Sequence, residues 1–513
     1  MTRFWPREFR AFLRRFGWVW ITPIFAFLAL SAWAFASPVG ASPDDDYHLA
    51  SIWCANEART DLCQPDLEDS NYRLVFREIM AAPCYVADDT ASAGCQEWSS
   101  DPKPTHGADH GNWIGAYPPV YYAVMNVFAS NDVQASALAM RVVNVALFVG
   151  LTTALAWLLP IELKTPLIAG WTITIVPLGG YLIASNNPGA WALIGVGASW
   201  LAALGWFRTS GRRSWALGVL TVFAVLIAAG ARTDAAVYSI LGLGIASFLS
   251  FERSRMFGLK LLLPAVLVAM ALVFFTASGY SDVAIGGLNG GLPANAREVR
   301  DPGGVLAFNV ISIPQLWTGV FGSWGLGWRM EIWPGFAMVE FATIAVFIGL
   351  ASLGIRVMPP RKAIMTVALV ATLYALPVYV LTVGTSVVGE NVQPRYILPL
   401  VVVLGGLLLL TGRSDPLAPG PWHVIPAAIL LTGANALALY MNLRRYSTGF
   451  DAGQFSLEAG SEWWWVGLPI GPTALWLIGS VAFGITVTLL AATWLRVGRQ
   501  VEAPLPAGVP ALP

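Results

Sequence analysis

The stretch "ASPVGASPDDDYHLASIW" (36–53) places Asp44, Asp45 and Asp46 in a row, with His48 two residues on, directly after the apolar run "WVWITPIFAFLALSAWAF". Carboxylates where a chain leaves an apolar segment can do two kinds of chemistry. One is general-base removal of a hydroxyl proton, and the other is binding a divalent cation such as Mg, Mn or Ca. His48 lies one helical turn beyond Asp44, so the two side chains can share a face. A structural reading competes. Ser42 can cap a helix, Pro43 suits its first turn and Asp45 completes a capping box, with acids complementing the helix dipole.

The elements around these acids are membrane spans. The 513 residues are 56% hydrophobic and 12% charged, about half the charged fraction of a soluble globular protein. The formal net charge is zero, which favours no nucleic-acid partner. The 23 Trp suit aromatic belts at two interfaces. Apolar runs predict spans near 18–36, 134–159, 166–184, 188–207, 215–231, 235–250, 260–277, 335–355, 363–384, 395–411, 422–441 and 467–495, about twelve in all. The fold class is therefore an all-α integral membrane protein, a polytopic helix bundle.

Lys and Arg set the orientation. With residues 1–17 as a basic cytoplasmic N-terminus (Arg3, Arg7, Arg10, Arg14 and Arg15), "FRTSGRRS", "FERSRMFGLK", "RVMPPRK" and "LRVGRQ" all fall in the cytoplasm. The first span is too long for a signal-peptide core and reads as a retained anchor. The transmembrane domain then runs over 18–495, followed by a disordered cytoplasmic tail, 496–513. Segments 37–133, 278–334 and 442–466 lie outside the cell, and "VLAFNVISIPQLWTGVFGSW" reads as an interfacial helix. Cys54, Cys63, Cys84 and Cys95 all fall in the first of these segments, as disulfides in an oxidising space would. Three pairings are open. The alternative, zinc, lacks a close Cys-x-x-Cys pair.

Several motifs carry a resemblance. Pro43-Asp44-Asp45-Asp46-Tyr47-His48 resembles the Pro-Asp-Glu-x-x-His motif of the bacterial multispanning membrane proteins grouped as domain of unknown function 2142, with Asp45 standing where Glu is usual. "YPPVYY", "NNPGAWALIG", "ARTD" and "QPRYILPL" match that family in order over nearly the whole chain, and the cysteine loop falls outside its pattern. The family is related in architecture to the GT-C glycosyltransferases. The resemblance implies an inverting sugar transferase of a bacterial plasma membrane, working on the extracytoplasmic face. Its donor would be a polyprenyl-phosphate-linked sugar and its acceptor a glycan, lipid or protein. Asp44 or Asp45 would be the base, or a metal ligand, ahead of Asp46.

Such a donor needs an apolar groove for its chain and cations for its phosphate. Arg395, at the outer start of the tenth span, can grip a phosphate bidentately, with Gln393 and Tyr396 positioning the head group; alternatively it snorkels to lipid. Arg232 can face the same phosphate or pair with Asp234 across a hairpin. Asn186 and Asn187 are explained by turn chemistry or by a substrate contact. His106, His110 and Asp109 can bind metal or sugar hydroxyls or stand solvated. Trp113 and Tyr117 can stack on a sugar or anchor at the interface. There is no Walker loop, hence no visible engine for ATP-driven transport. The second functional class is a carrier, flippase or binding protein for lipid-linked sugars. It would place polar groups at mid-membrane, whereas the charges here, Arg141 excepted, cluster at span ends.

Overall fold

The computed structural model describes residues 18–502, except 70–71, 81–82, 87, 100–101, 280–300, 327–335, 391, 413–416, 418, 452–454 and 466–468. The basic segment 1–17, most of "GGLNGGLPANAREVRDPGG" and most of the C-terminal tail lie outside the described residues.

The predicted spans appear close to their expected limits. They are α1 (Trp18–Phe35), α5 (Val133–Leu158), α8 (Gly189–Arg208), α9 (Gly211–Ala229), α10 (Thr233–Leu249), α11 (Arg255–Thr276), α13 (Phe336–Ile355), α14 (Pro360–Val383), α15 (Pro394–Leu408), α16 (Pro421–Ser447) and α17 (Pro472–Glu502). Among the described residues, nine helices are long and apolar enough to cross a membrane, and α1 (over Ile21–Phe35), α10 and α15 are shorter apolar helices.

One expectation changes. The run 166–184 is not one helix but two, α6 (Lys164–Thr174) and α7 (Pro177–Ile183), bent by 97° where Pro177 removes a backbone donor. The segment expected to lie along the interface is α12 (Pro302–Thr318), continued by a π-turn to Ser323. It has the length and apolarity of a span, yet Asn309 donates to Ser386 O at 2.9 Å beyond the end of α14, and Gly319 packs against Pro394 at the start of α15, so its middle and its C-terminal end both meet the same end of the bundle.

The sequence dictates which helices sit at the centre. α8 is apolar all round and rich in Gly and Ala, and its span is 94% buried, whereas that of α11 is 17% buried. Its small residues permit close approach: a Cβ at Gly195 would lie 2.4 Å from the Ala224 carbonyl oxygen, and one at Gly197 2.4 Å from the Trp171 ring. α15, buried along its whole length, meets α6 where a Cβ at Gly170 would lie 2.7 Å from Gly406 Cα.

Segment 37–133 folds over one end of this bundle. It contains α2 (Asp45–Trp53), α3 (Arg77–Met80), α4 (Val120–Asn126) and a small antiparallel sheet. The strands are β1 (Gln64–Pro65), β2 (Arg73–Val75) and β3 (His106–Ala108), with Gln64 opposite Leu74 and Leu74 opposite Gly107. The cysteines pair as Cys54–Cys63 and Cys84–Cys95. The first bridge starts at the C-cap of α2. The second closes a loop whose carbonyls at Tyr85, Asp88 and Ala91 accept from the buried Arg445 guanidinium of α16.

Candidate functional site at the covered end of the bundle

Asp44 precedes α2 in a left-handed conformation (φ 56°), one of two non-glycine residues with positive φ among those described. An L side chain there carries strain that its surroundings must hold in place. They do so densely. Asn187 Nδ2 donates to the Pro43 carbonyl at 2.9 Å, and Tyr181 donates to Ala41 O at 2.8 Å. The Asp45 carboxylate, fully buried, accepts from the Gly40 and Ser42 amides at 3.2 and 3.1 Å.

Behind Asp45 stands Arg141, also fully buried, 3.8 Å away. Its guanidinium donates to Ser37 O (2.6 Å), Pro38 O (3.0 Å) and Asn186 Oδ1 (2.7 Å). Arg141 thus ties down the turn after α1, and Asp45 supplies its counter-charge. Burial pushes the Asp45 carboxyl up to about 6, against the pull of Arg141 and the Ser42 amide. The capping box expected here is half formed: Asp45 reaches back to the Ser42 amide, but the helix starts at Asp45, and Asp44 makes no side-chain cap bond.

Fixed in this way, the Asp44 side chain turns into a hollow of about 590 Å³ between segment 37–133 and helices α10, α11, α14 and α15. Its polar lining includes Asp44, Asp46, His110, Arg232, Asp234 and Arg395. Its other wall is apolar, formed by Val237, Phe275, Leu376, Pro377, Val380 and Ile397.

Arg395 Nη2 meets Asp44 Oδ2 at 2.6 Å. The Arg395 side chain is 2% exposed and that of Asp44 44%, so the arginine is a buried anchor while the carboxylate remains open to the hollow. Arg395 Nε and Nη1 are buried without hydrogen-bond partners, as is Gln393 Oε1. The Tyr396 ring lies between two cations, with Arg232 Cζ at 4.8 Å and Arg395 Cζ at 5.0 Å from its centroid. Arg232 also lies over Tyr117 at 5.7 Å and is held by Asp234 at 2.9 and 3.0 Å.

The expected residues therefore divide. Asp44, Arg395, Gln393, Tyr396, Arg232, Asp234 and Tyr117 converge on the hollow. Asp45 does not line it, because its carboxylate is spent on the Gly40–Ser42 turn and Arg141. Asn187 does not line it either, since its amide holds Pro43 and Gly189. His48 is fully buried, with Nδ1 3.0 Å from the Tyr122 hydroxyl. Burial and the nearby guanidiniums push its imidazole down to about 3, despite the pull of Asp44, so the ring is neutral.

Asp46, ranked below its neighbours from sequence, does reach the hollow, 3.1 Å from His110 Nε2. His110 Nδ1 also contacts Asp109, and the two carboxylates lift the imidazole to about 9, outweighing its partial burial. Tyr238, Thr233 and Glu390 line the hollow without having been anticipated. Tyr238 stands one turn after Asp234, and that i, i+4 spacing is the signal that would have found it. Among the described residues no group of three or more His, Cys, Asp or Glu is arranged to hold a metal ion. Asp44 is paired with a guanidinium, and the Asp45 carboxylate is enclosed.

Spanning helices around a half-polar, half-apolar hollow define a polytopic α-helical membrane protein. The chain belongs to the family described as predicted membrane protein (DUF2142), whose model matches residues 27–404 and so takes in every residue of the hollow. No curated protein and no solved structure matches the chain.

Proposed function

We propose that the protein is a GT-C-type membrane glycosyltransferase. It moves a sugar from a polyprenyl-phosphate donor to a hydroxyl of a cell-envelope glycan, lipid or protein. The observation that carries this reading is the Asp44–Arg395 pair at the meeting of a polar and an apolar wall. An amphipathic donor fits such a hollow in one orientation, with its chain along Val237, Phe275 and Val380 and its phosphate towards Arg395 and Arg232. A monoanionic phosphodiester also suits the charge, because the two guanidiniums are each already matched by a carboxylate.

In the reaction, Asp44 accepts the proton of the acceptor hydroxyl. The oxygen attacks the anomeric carbon as its bond to the phosphate oxygen breaks, and the polyprenyl phosphate leaves with that electron pair, inverting the centre. Arg395 stabilises the phosphate as its charge grows. The positive-inside distribution of Lys and Arg supports placing the hollow on the extracytoplasmic face of a bacterial plasma membrane, with the N- and C-termini in the cytoplasm.

One observation favours the second class. The broken pair α6–α7 resembles the discontinuous helices of carriers. The two readings separate in nanodiscs and vesicles supplied with polyprenyl-phosphate sugars and hydroxyl acceptors. The transferase reading expects glycosylated acceptor in nanodiscs, lost in Arg395→Ala. Lipid crossing the vesicle bilayer without any product would replace that reading with the carrier.

A further inference from the structure

A second cavity, of about 190 Å³, lies at the opposite end of the bundle from the hollow. Arg208 ends α8, Leu249 and Ser250 end α10, Ser254, Met256, Phe257 and Lys260 begin α11, and Arg361 begins α14. The hollow instead takes the other ends of α10, α11 and α14. The cavity wall therefore carries three cations, Arg208, Lys260 and Arg361, against one acid, Glu252.

The three cations are not equivalent. Lys260 directs Nζ at the carbonyls of Trp206 (2.8 Å), Phe207 (3.2 Å) and Thr209 (2.5 Å), closing the end of α8, so it contributes charge to the cavity and no free donor. Arg361 uses Nη1 on Phe251 O at 2.8 Å and keeps its remaining donors. Arg208 is exposed, and its electrostatic partner is Glu162, which stands outside the cavity lining. The rim is apolar and outward-facing: Phe251 is 46% exposed, Met256 63% and Leu259 63%. Cations in a concavity rimmed by exposed apolar side chains, at the end of spanning helices, suit a ligand that is anionic at one end and apolar at the other.

We propose that this cavity binds the phosphate of an anionic glycerophospholipid, with Arg208 and Arg361 as its donors and Lys260 as fixed positive charge. The acyl chains lie along the exposed face of α11. The site is separate from the hollow and does not depend on its chemistry.

The test uses delipidated full-length protein in a neutral detergent, titrated calorimetrically with dioctanoyl phosphatidylglycerol, dioctanoyl phosphatidylcholine and inorganic phosphate. Phosphatidylglycerol is expected to bind saturably at one site and phosphatidylcholine not to bind there. Arg208→Glu weakens phosphatidylglycerol binding by about tenfold or more. Arg208 is exposed, so this substitution spares the packing, and an unchanged thermal midpoint verifies that. Arg212→Glu, a reversal at a nearby exposed arginine outside the cavity, leaves binding unchanged. Equal binding of both lipids, or an unaffected Arg208→Glu, overturns the site. Binding of inorganic phosphate without the lipid assigns the cavity to a soluble phosphate compound and overturns the lipid assignment.

Discussion

Asp44 and Asp45 are adjacent carboxylates with opposite fates. Asp44 faces the hollow and Asp45 is sealed behind it, because the left-handed backbone at Asp44 turns consecutive side chains to different environments. Asp45 carries a pH signature. Its folded pKa, about 6, lies above the unfolded value near 3.8, so the folded state holds the proton more tightly. The stability this gives is fully present below about pH 4 and is lost as pH rises through 6, a change of roughly 3 kcal/mol. The wild type should therefore lose thermal stability between pH 4 and 6 relative to Asp45→Asn, as unfolding midpoints of the two proteins would show; parallel profiles would refute the burial argument. His110 runs in a different window. Its pKa is raised to about 9, so its bridge to Asp46 and Asp109 is intact below about 6.5 and lost as pH rises through 9. Activity of the wild type should show an alkaline limb near pH 9 that His110→Gln lacks.

Elements hold this arrangement through close contacts that their sequences announce only in part. The Gly and Ala content of α8 signalled close packing, but the meeting of Gly170 with Gly406 joins helices far apart in sequence. Gly170→Val should drive a side chain into α15, costing about 1–3 kcal/mol, visible as a lowered unfolding midpoint. The break between α6 and α7 is not legible in the sequence, because Pro166 and Pro177 both sit in one apolar run and hydropathy does not say which proline ends a helix. The segment 37–133 depends on its two disulfides and on Arg445 threading the second loop. Reduction should lower the thermal midpoint and cut substrate binding at the hollow, because α2 ends at Cys54 and carries the acids at its start. Unchanged binding under reductant would separate the loop's covalent bracing from the site.

Across the whole molecule, the bundle and its polar end were legible from hydropathy and charge placement, since burial in lipid leaves long apolar runs with ionised groups at their ends. Asp44, Arg395 and Arg232 were legible for the same reason, as charges at span ends. The roles of Asp45, His48 and Asn187 were not, because their side-chain direction is set by the turn at Gly40–Asp44 and by Arg141 from a distant helix. In the proposed transferase the carboxylate at 44, and not its neighbour, takes the proton of the acceptor. The most direct measurement is the rate of sugar transfer from a polyprenyl-phosphate donor by wild type, Asp44→Asn and Asp45→Asn in nanodiscs, at equal folded concentration. The expected result is a loss of about 10²-fold or more for Asp44→Asn, with Asp45→Asn retaining most of the rate once its folded fraction is counted. Transfer by the wild type that survives undiminished in Asp44→Asn would contradict it.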